Sequence, residues 1–315
     1  MNTNQHPKWP LVSIITVNYN QSEVTCEFLA SMRKATYPAL EIFVVDNASP
    51  KDNPDNIKER YPEIILLKTA ANLGFAGGNN VALSQAKGKY ALFINNDTEV
   101  EPGFLEPMVE LLENNADIGM VSPKIHYFNT PNTFQFAGFS PLSPITIRNY
   151  AIGFGETDHG QYDYTRETGS IFGAAMLVPM RVIAEVGMMA DIFFLYYEEH
   201  DWASRIKRAG YKIFYDGRSK VLHKESISTV KNSAFQIYYI NRGRFLFARR
   251  NAKGLDKLLS ALFLNFVTAP KITLEFLLKA RFDLARAFWR AIFWNMTHVK
   301  GIHESPKLTN TLWKS

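Results

Sequence analysis

The sequence predicts an α/β protein built on a doubly wound, mostly parallel sheet, followed by a helical, basic and aromatic extension. Three observations lead there. Short β-branched apolar runs alternate with helix-patterned segments as far as residue 100, and such alternation calls for parallel strands with helices on both faces. Three of these runs stop at polar clusters, Asn18 to Asn20, Asp46 to Ser49 and Asn95 to Asp97. From Ala234 onward, Phe, Leu, Tyr and Trp recur among Arg and Lys in a pattern that reads as helix.

Leu11 to Tyr19 is apolar and β-branched, a buried strand. Ser22 is placed to cap a helix carrying Val24, Phe28, Leu29 and Met32, which Tyr37-Pro38 ends. Glu41 to Val45 is a second strand running into the loop Asp46 to Pro50, Ile57 to Tyr61 a short helix, and Glu63 to Leu67 a third strand. The Gly-rich stretch Asn72 to Asn80 reads as a loop leading into a helix, Val81 to Ala86, closed by Gly88. Tyr90 to Ile94 is the fourth strand, Phe104 to Glu113 a helix and Ile118 to Ile125 a strand. Residues 126–168, rich in Pro, Gly, Asn and aromatics, read as long loops of the kind that carry binding function. Helix and strand signals return over Gly169 to Val186. Asp201 to Ala209 is a helix with Gly210 at its end, Tyr211 to Tyr215 a strand, and Val221-Leu222-His223 follows a turn. Pro270 divides the C-terminal helical region into two segments.

At 315 residues, 46% apolar and 21% charged, the chain is a folded globular protein rather than a disordered one. A single cysteine, Cys26, excludes internal disulfides and cysteine-based zinc sites, which fits a reducing compartment. Met1 to Pro10 lacks the apolar core of a signal peptide. Leu258 to Pro270 is too short to cross a bilayer and Lys271 ends it, so no transmembrane helix is expected. The net charge of +5 is uneven: Lys231 to Lys300 holds 13 Lys and Arg against Asp256, Glu275 and Asp283. That region suits an anionic membrane surface, or else a helical packing unit or dimer contact. Its charges are interleaved with large apolar residues, which argues against nucleic acid.

In a parallel sheet successive strands point the same way, so the three polar clusters converge on one edge, where open α/β sheets bind ligands. Asp97 there reads either as a turn former or as an acid delivered to a site. Gly74, Gly77 and Gly78 match neither the dinucleotide fingerprint nor a Walker pattern, leaving a plain turn or a close backbone approach to a ligand. Glu198-Glu199-His200-Asp201 places three carboxylates at a helix start, where acids complement the dipole. They also follow Phe193 to Tyr197, and a carboxylate against an aromatic wall can be tuned into a general base. His223 is either a structural histidine or, beside Asp97, part of an O/N site for Mn²⁺ or Mg²⁺.

The ordered set VSIITVNYNQ, IFVVDNASPKDN, NLGFAGGNN, ALFINNDTEV, GAAMLVPM, FFLYYEEHDWASRIKRAGYKI and VLHKES, over about residues 11–225, resembles the family 2 inverting glycosyltransferases of the GT-A fold. The branch it most resembles is the rhamnosyltransferase-like one that builds bacterial surface polysaccharides. The resemblance implies a metal-dependent hexosyltransferase using Mn²⁺ or Mg²⁺. The donor would be a nucleotide-diphosphate sugar, dTDP-rhamnose favoured, and the acceptor a glycan or lipid-linked saccharide. It implies a catalytic and nucleotide-sugar-binding domain over 1–230 and a helical region over 231–315. The location implied is cytoplasmic, on the inner face of the cell membrane.

By the same resemblance, Asn95-Asn96-Asp97 takes the place of the D-x-D motif, with Asp97 holding the metal and Asn96 beside the nucleotide sugar. Asp46 would bind the nucleobase, and Asn18, Asn72, Gly74, Gly77 and Asn79 would line the nucleotide pocket. Glu199 would be the catalytic base with Glu198 beside it, and His223 a further metal contact. Arg205 and Arg208 fall on the family's helix pattern. The sequence departs from the family in three places: Asn95 replaces the first Asp of D-x-D, Glu199 is one methylene longer than the usual Asp, and the common Phe-Asp-Glu before it is missing. Two other readings stand beside sugar transfer. One is a catalytically inactive sugar-nucleotide-binding or scaffolding protein, which Asn95 favours. The other is a sugar-phosphate nucleotidyltransferase, which a basic residue after the first strand would have favoured.

Overall fold

The computed structural model describes residues 9–224 and 232–308; Glu225 and Ser226 of the last motif lie outside them. The first half of the sheet comes from β1 (Val12–Asn18), α1 (Ser22–Met32), β2 (Leu40–Asp46), α2 (Asp55–Arg60), β3 (Ile65–Lys68), α3 (Gly74–Leu83) and β4 (Tyr90–Ile94). The second half adds β5 (Thr98–Val100), α4 (Glu106–Asn114), β6 (Ile118–Tyr127), β7 (Phe134–Phe136), β8 (Thr165–Glu167), β9 (Ala175–Pro179), α5 (Met180–Val186), α6 (Glu198–Arg208) and β10 (Lys212–His223). The strand order is β3-β2-β1-β4-β9-β6-β10-β5, with β7 on β6 and β8 on β10.

β3, β2, β1 and β4 pair in parallel, as strand–helix alternation requires. β9 then enters antiparallel between β4 and β6, so the far half of the sheet is mixed. Two apolar clusters cover the faces. One packs Ile14, Val44 and Leu92 under α1, α2 and α4; the other packs Ile15, Val45 and Phe93 under α3, α5 and α6. Alternate residues of each strand serve opposite faces, which explains why these strands read as unbroken apolar runs. The register places Asn18 opposite Asp46, at the carboxyl edge of the sheet.

Several elements differ from expectation for identifiable reasons. α3 begins at Gly74 rather than Val81, so the Gly-rich stretch is itself the first turns of a helix. A Cβ on Gly78 would sit 3.2 Å from the Val17 methyls, and one on Gly77 2.7 Å from Leu73 Cβ. The glycines let this helix lie close on the sheet, and that packing overrides their poor helix propensity. Ser22 is the first helical residue and makes no side-chain cap; the Asp52 carboxylate accepts from its backbone N–H instead. β10 runs unbroken from Lys212 to His223, the expected turn being a bulge between Asp216 and Lys220.

The C-terminal region folds as α7 (Ala234–Asn251), α8 (Gly254–Leu262), a π-helical stretch (Phe263–Thr268), α9 (Ala269–Leu278) and α10 (Phe282–Thr297). Pro270 does not split it. The wider π turn leaves Pro270 in the first turn of α9, where no N–H is needed, so the helix continues. The break falls at Lys279 to Arg281, where Ala280 has φ +52°. Gly254–Leu278 is therefore one run of 25 residues, long and apolar enough by length and composition to cross a membrane, contrary to the expectation that Lys271 cuts it short.

Candidate active site

The polar clusters at the ends of β1, β2 and β4 meet, as parallel strands require. They are joined by a buried hydrogen-bond chain. Asn96 Nδ2 donates to Thr25 Oγ1 (2.9 Å), Thr25 Oγ1 to Asn18 Oδ1 (2.9 Å), and Asn18 Nδ2 to Asp46 Oδ1 (2.9 Å). Ser49 Oγ also donates to Asp46 Oδ1, at 2.6 Å. Above this row opens a cavity of about 420 Å³. Asn72, Gly74, Asn96, Asp97, Glu198, Glu199 and His223 line it, so seven of the predicted site residues share one space.

Four predicted residues do not line it. Asn18 and Asp46 lie beneath, satisfied by the chain just described. Asn79 is buried in α3 and donates to the Phe75 carbonyl (2.9 Å). Gly77 borders a smaller neighbouring cleft. Asn47, beside Asp46, faces the cavity instead and pins the glycine stretch: its Nδ2 donates to Asn72 Oδ1 (3.1 Å) and to the Gly74 carbonyl (3.0 Å), and its Oδ1 accepts from Leu73 N (2.9 Å). Asn47 closes the polar end of an apolar strand, a signal as good as that of Asp46.

Asp97 and His223 face one another. β5 and β10 pair antiparallel, with Thr98 opposite His223, and the Lys224 N–H donates to the Asp97 carbonyl (2.8 Å). Asp97 Oδ1 lies 3.2 Å from His223 Nε2, both residues are under 8% exposed, and Nε2 has no hydrogen-bond partner among the described residues. His223 Nδ1 is 2.7 Å from Gln135 Oε1. A carbonyl oxygen only accepts, so Nδ1 carries a proton toward Gln135 and leaves Nε2 as the ring nitrogen that faces Asp97. A carboxylate oxygen and an imidazole nitrogen, buried side by side, are a donor set suited to a hard divalent cation once the nitrogen is deprotonated. Asn95, also on the cavity wall, offers only an amide where a second carboxylate would bind a cation more tightly.

The opposite chemistry sits at the start of α6. Phe194, Tyr196 and Tyr197 all have positive φ (65°, 66° and 75°), an uncommon run for bulky residues. This bent segment presents Phe194, Leu195 and Tyr196 to the cavity and delivers Glu198 and Glu199 directly after it. Glu198 is 3% exposed with Oε2 unpartnered. Burial, then the neighbouring charge of Glu199, holds its carboxyl well above the usual carboxylate range. The Glu199 side chain keeps 18% of its surface open, and its buried Oε2 has no hydrogen-bond partner among the described residues.

Neighbouring elements hold the bend. The Phe194 carbonyl accepts from Phe75 N (2.6 Å). Arg242 on α7 donates to the carbonyls of Ile192 (2.9 Å) and Phe193. Gly243 packs against the Tyr196 carbonyl, where a Cβ would come within 2.6 Å. Behind Glu199, Asp201 is buried and clamped by Arg205 Nε (3.0 Å), Arg250 Nε (2.9 Å) and Asn251 Nδ2 (2.8 Å). Burial raises its pKa, and the Arg205 and Arg250 charges more than reverse that, leaving it lowered. Arg205 also donates to the Val186 (2.8 Å) and Met188 (2.7 Å) carbonyls, and Arg208 to Asn251 Oδ1 (2.8 Å), so both arginines brace α6.

Residues 126–168 supply Gln135 and Phe139 to the cavity, and Phe235 at the start of α7 adds another wall. Residues 13–170 match the model of "Glycosyl transferase family 2". A protein of Mycobacterium tuberculosis described as an N-acetylglucosaminyl-diphospho-decaprenol L-rhamnosyltransferase is 22% identical over 258 residues, covering 75% of this chain and 83% of that protein. Among solved structures, GalNAc-T7 with UDP, GalNAc and Mn²⁺ gives a TM-score of 0.62 at 15% identity, over 78% of this chain and 48% of that chain. The mannosyltransferase PcManGT of Pyrobaculum calidifontis, with GDP-Man and Mn²⁺, gives 0.56 at 14% identity, over 92% and 88%. These likenesses establish the GT-A glycosyltransferase fold.

Proposed function

We propose that this chain, which belongs to glycosyl transferase family 2, moves a hexose with inversion from a nucleotide-diphosphate donor to a hydroxyl of a glycan or lipid-linked saccharide. The observation that carries the proposal is that a cation-type pair, Asp97 and His223, and a base-type pair, Glu198 and Glu199, open on one cavity. Rhamnose from dTDP-rhamnose is the favoured donor sugar, supported by the likeness to the mycobacterial rhamnosyltransferase. The same likeness supports a lipid-linked acceptor and a role in surface polysaccharide synthesis. A cytoplasmic, membrane-peripheral location fits the free, buried Cys26 and the basic tail.

In this reading Asp97 and His223 hold Mn²⁺ or Mg²⁺, which when bound neutralises charge on the departing diphosphate. Asn47, Asn72 and Gly74 form the nucleotide wall, backed by the buried Asn18–Asp46 pair. Glu199 Oε2 takes the proton of the acceptor hydroxyl. The acceptor oxygen attacks the anomeric carbon from the face opposite the diphosphate, the carbon–oxygen bond to the diphosphate breaks, and the configuration inverts. Burial holds the Glu198 carboxyl well above the usual carboxylate range, and Glu199, the more open of the two, is the one assigned the proton-accepting role. Phe194, Leu195 and Tyr196 shield the reacting centre from water.

A non-catalytic nucleotide-sugar binder is the competing reading, and Asn95 is the residue that favours it. A thermal-shift screen of nucleotide sugars with Mn²⁺, followed by a turnover assay of the best binder, tests both. Binding with inverted product supports transfer. Binding without turnover supports the competing reading and rejects ours.

A further inference from the structure

We propose that the outward face of the hairpin formed by α8–α9 and α10 lies in the plane of an anionic lipid bilayer, with the rim of the active-site cavity beside the hairpin's tip. The inner face of the hairpin is accounted for. Leu264, Ala269, Phe288 and Ile292 pack into a cluster with Phe245 and Leu246 of α7, and Trp289 Nε1 donates to Thr273 Oγ1 (3.1 Å). The outer face is not: Phe266 is 75% exposed, Leu278 78% and Phe282 65%, and Leu258, Leu274 and Phe293 are also open to solvent. Exposed large apolar side chains recurring at helical spacing, as at Leu255, Leu258, Leu262 and Phe266 and again at Phe282, Trp289, Phe293 and Met296, mark an interaction face.

Charge selects the occupant. Lys257, Lys271, Arg286 and Arg290 are exposed on the same helices and make no ion pair among the described residues; Glu275 and Asp283 are paired with Lys279 and Arg281, which leaves Asp256 as the one unpaired acid against these cations. Unpaired cations around an apolar face fit acidic lipid headgroups over a buried hydrocarbon layer. A second copy of this chain would bring the same cations together and repel.

Orientation follows from the packing. Only 17% of the most apolar stretch of Gly254–Leu278 is buried. From Phe263 to Phe276 that helix is still packed into the cluster with α10 and α7, so it cannot cross a bilayer without dragging the folded domain into hydrocarbon. It lies flat instead. α10 runs parallel to α7: Arg290 stacks over Tyr238, Arg242 over Trp294, and Arg249 donates to the His298 carbonyl (3.0 Å). This register carries the start of α10 about one helical turn beyond the start of α7. There, Phe235 lines the cavity and is itself 48% exposed. A sugar carried on a membrane lipid would meet the cavity at that edge. The choice of a lipid-linked acceptor rests on the sugar-transfer reading above; the docking does not.

Vesicle flotation of the full chain tests the docking. We expect it to float with equimolar phosphatidylcholine and phosphatidylglycerol and far less with phosphatidylcholine alone. Carbonate at high pH should release it. A Phe266→Ser, Leu274→Ser, Phe282→Ser variant should lose flotation while keeping its melting temperature, since all three sites are exposed. Lys257→Gln, Lys271→Gln, Arg286→Gln should lower partitioning on the order of a hundredfold. Absence of flotation by folded wild type, or wild-type flotation by the serine variant, overturns the proposal. So does retention after carbonate, which would mean a crossing helix. A concentration-dependent dimer in light scattering that the serine variant disperses would assign the face to a second copy instead. A serine variant that leaves vesicles yet still cleaves donor separates docking from chemistry, and a floating wild type without turnover counts against sugar transfer alone.

Discussion

His223 Nε2 and Asp97 Oδ1 stand 3.2 Å apart on the cavity wall with no hydrogen bond between them. Gln135 accounts for the arrangement, because its Oε1 engages Nδ1 and turns Nε2 toward the carboxylate. A carboxylate oxygen and an imidazole nitrogen at that spacing can share one divalent cation, which displaces any proton from the nitrogen. Gln135→Leu should therefore weaken Mn²⁺ binding about 10- to 100-fold, read by titration of Mn²⁺ in the presence of a nucleoside diphosphate. Asp97→Ala should abolish it. Unchanged Mn²⁺ affinity in Gln135→Leu would show that the histidine is not a ligand.

Gly74 and Phe194 form the joint between the glycine stretch that opens α3 and the bent segment that delivers Glu198 and Glu199. Gly74 has φ +71°, and a Cβ there would lie 2.2 Å from the Phe194 carbonyl oxygen. Gly74→Ala adds both backbone strain and a collision with the backbone. We expect a loss of about 2 kcal/mol in chemical denaturation, together with weakened donor binding. A variant as stable as wild type would mean that the joint moves freely.

Glu198 gives stability a pH dependence of a definite sign. Its folded pKa is raised, so its contribution is fully present below the unfolded value near about pH 4.3 and is lost as pH rises through the folded pKa. Glu198→Gln has no proton to lose. Its melting temperature should therefore exceed that of wild type by a margin that widens as pH rises from about 4 toward neutrality. A margin independent of pH would contradict the buried, neutral carboxyl.

Asp201 behaves in the opposite sense. Its folded pKa is depressed, so it stabilises above the unfolded value near about pH 3.9 and this stabilisation disappears as pH falls through the folded pKa. Asp201→Asn leaves the buried Arg205 and Arg250 without their counter-charge, which should cost about 3–5 kcal/mol at neutral pH. Acid titration of stability should lose this component in the variant. A neutral-pH change near zero would mean that the guanidinium–carbonyl contacts alone hold α6.

Much of this arrangement was legible in the sequence, and the exceptions have physical causes. Strand Tyr90–Ile94 falls where its apolar run predicts, with Asp97 in the polar cluster that ends it. Hydrophobic period and parallel topology suffice for that. The start of α3 escaped because glycine propensity points to a loop, whereas close packing on Val17 decides the matter. Gln135 and Phe139 escaped because residues 126–168 carry no period, and their meeting with His223 depends on pairing of β6 with β7 and β10. The positive φ values from Phe194 to Tyr197 had no glycine to announce them. They are imposed from outside, by Arg242, Gly243 and Phe75.

The central claim is that Glu199 is the base of a sugar transfer carried out in the cavity shared with Asp97 and His223. The most direct measurement is single-turnover transfer from the preferred nucleotide sugar by wild type and Glu199→Gln, with donor affinity measured alongside. The account predicts a rate loss of about 10²- to 10⁴-fold with donor affinity essentially unchanged. A Glu199→Gln enzyme that transfers sugar at the wild-type rate would contradict it.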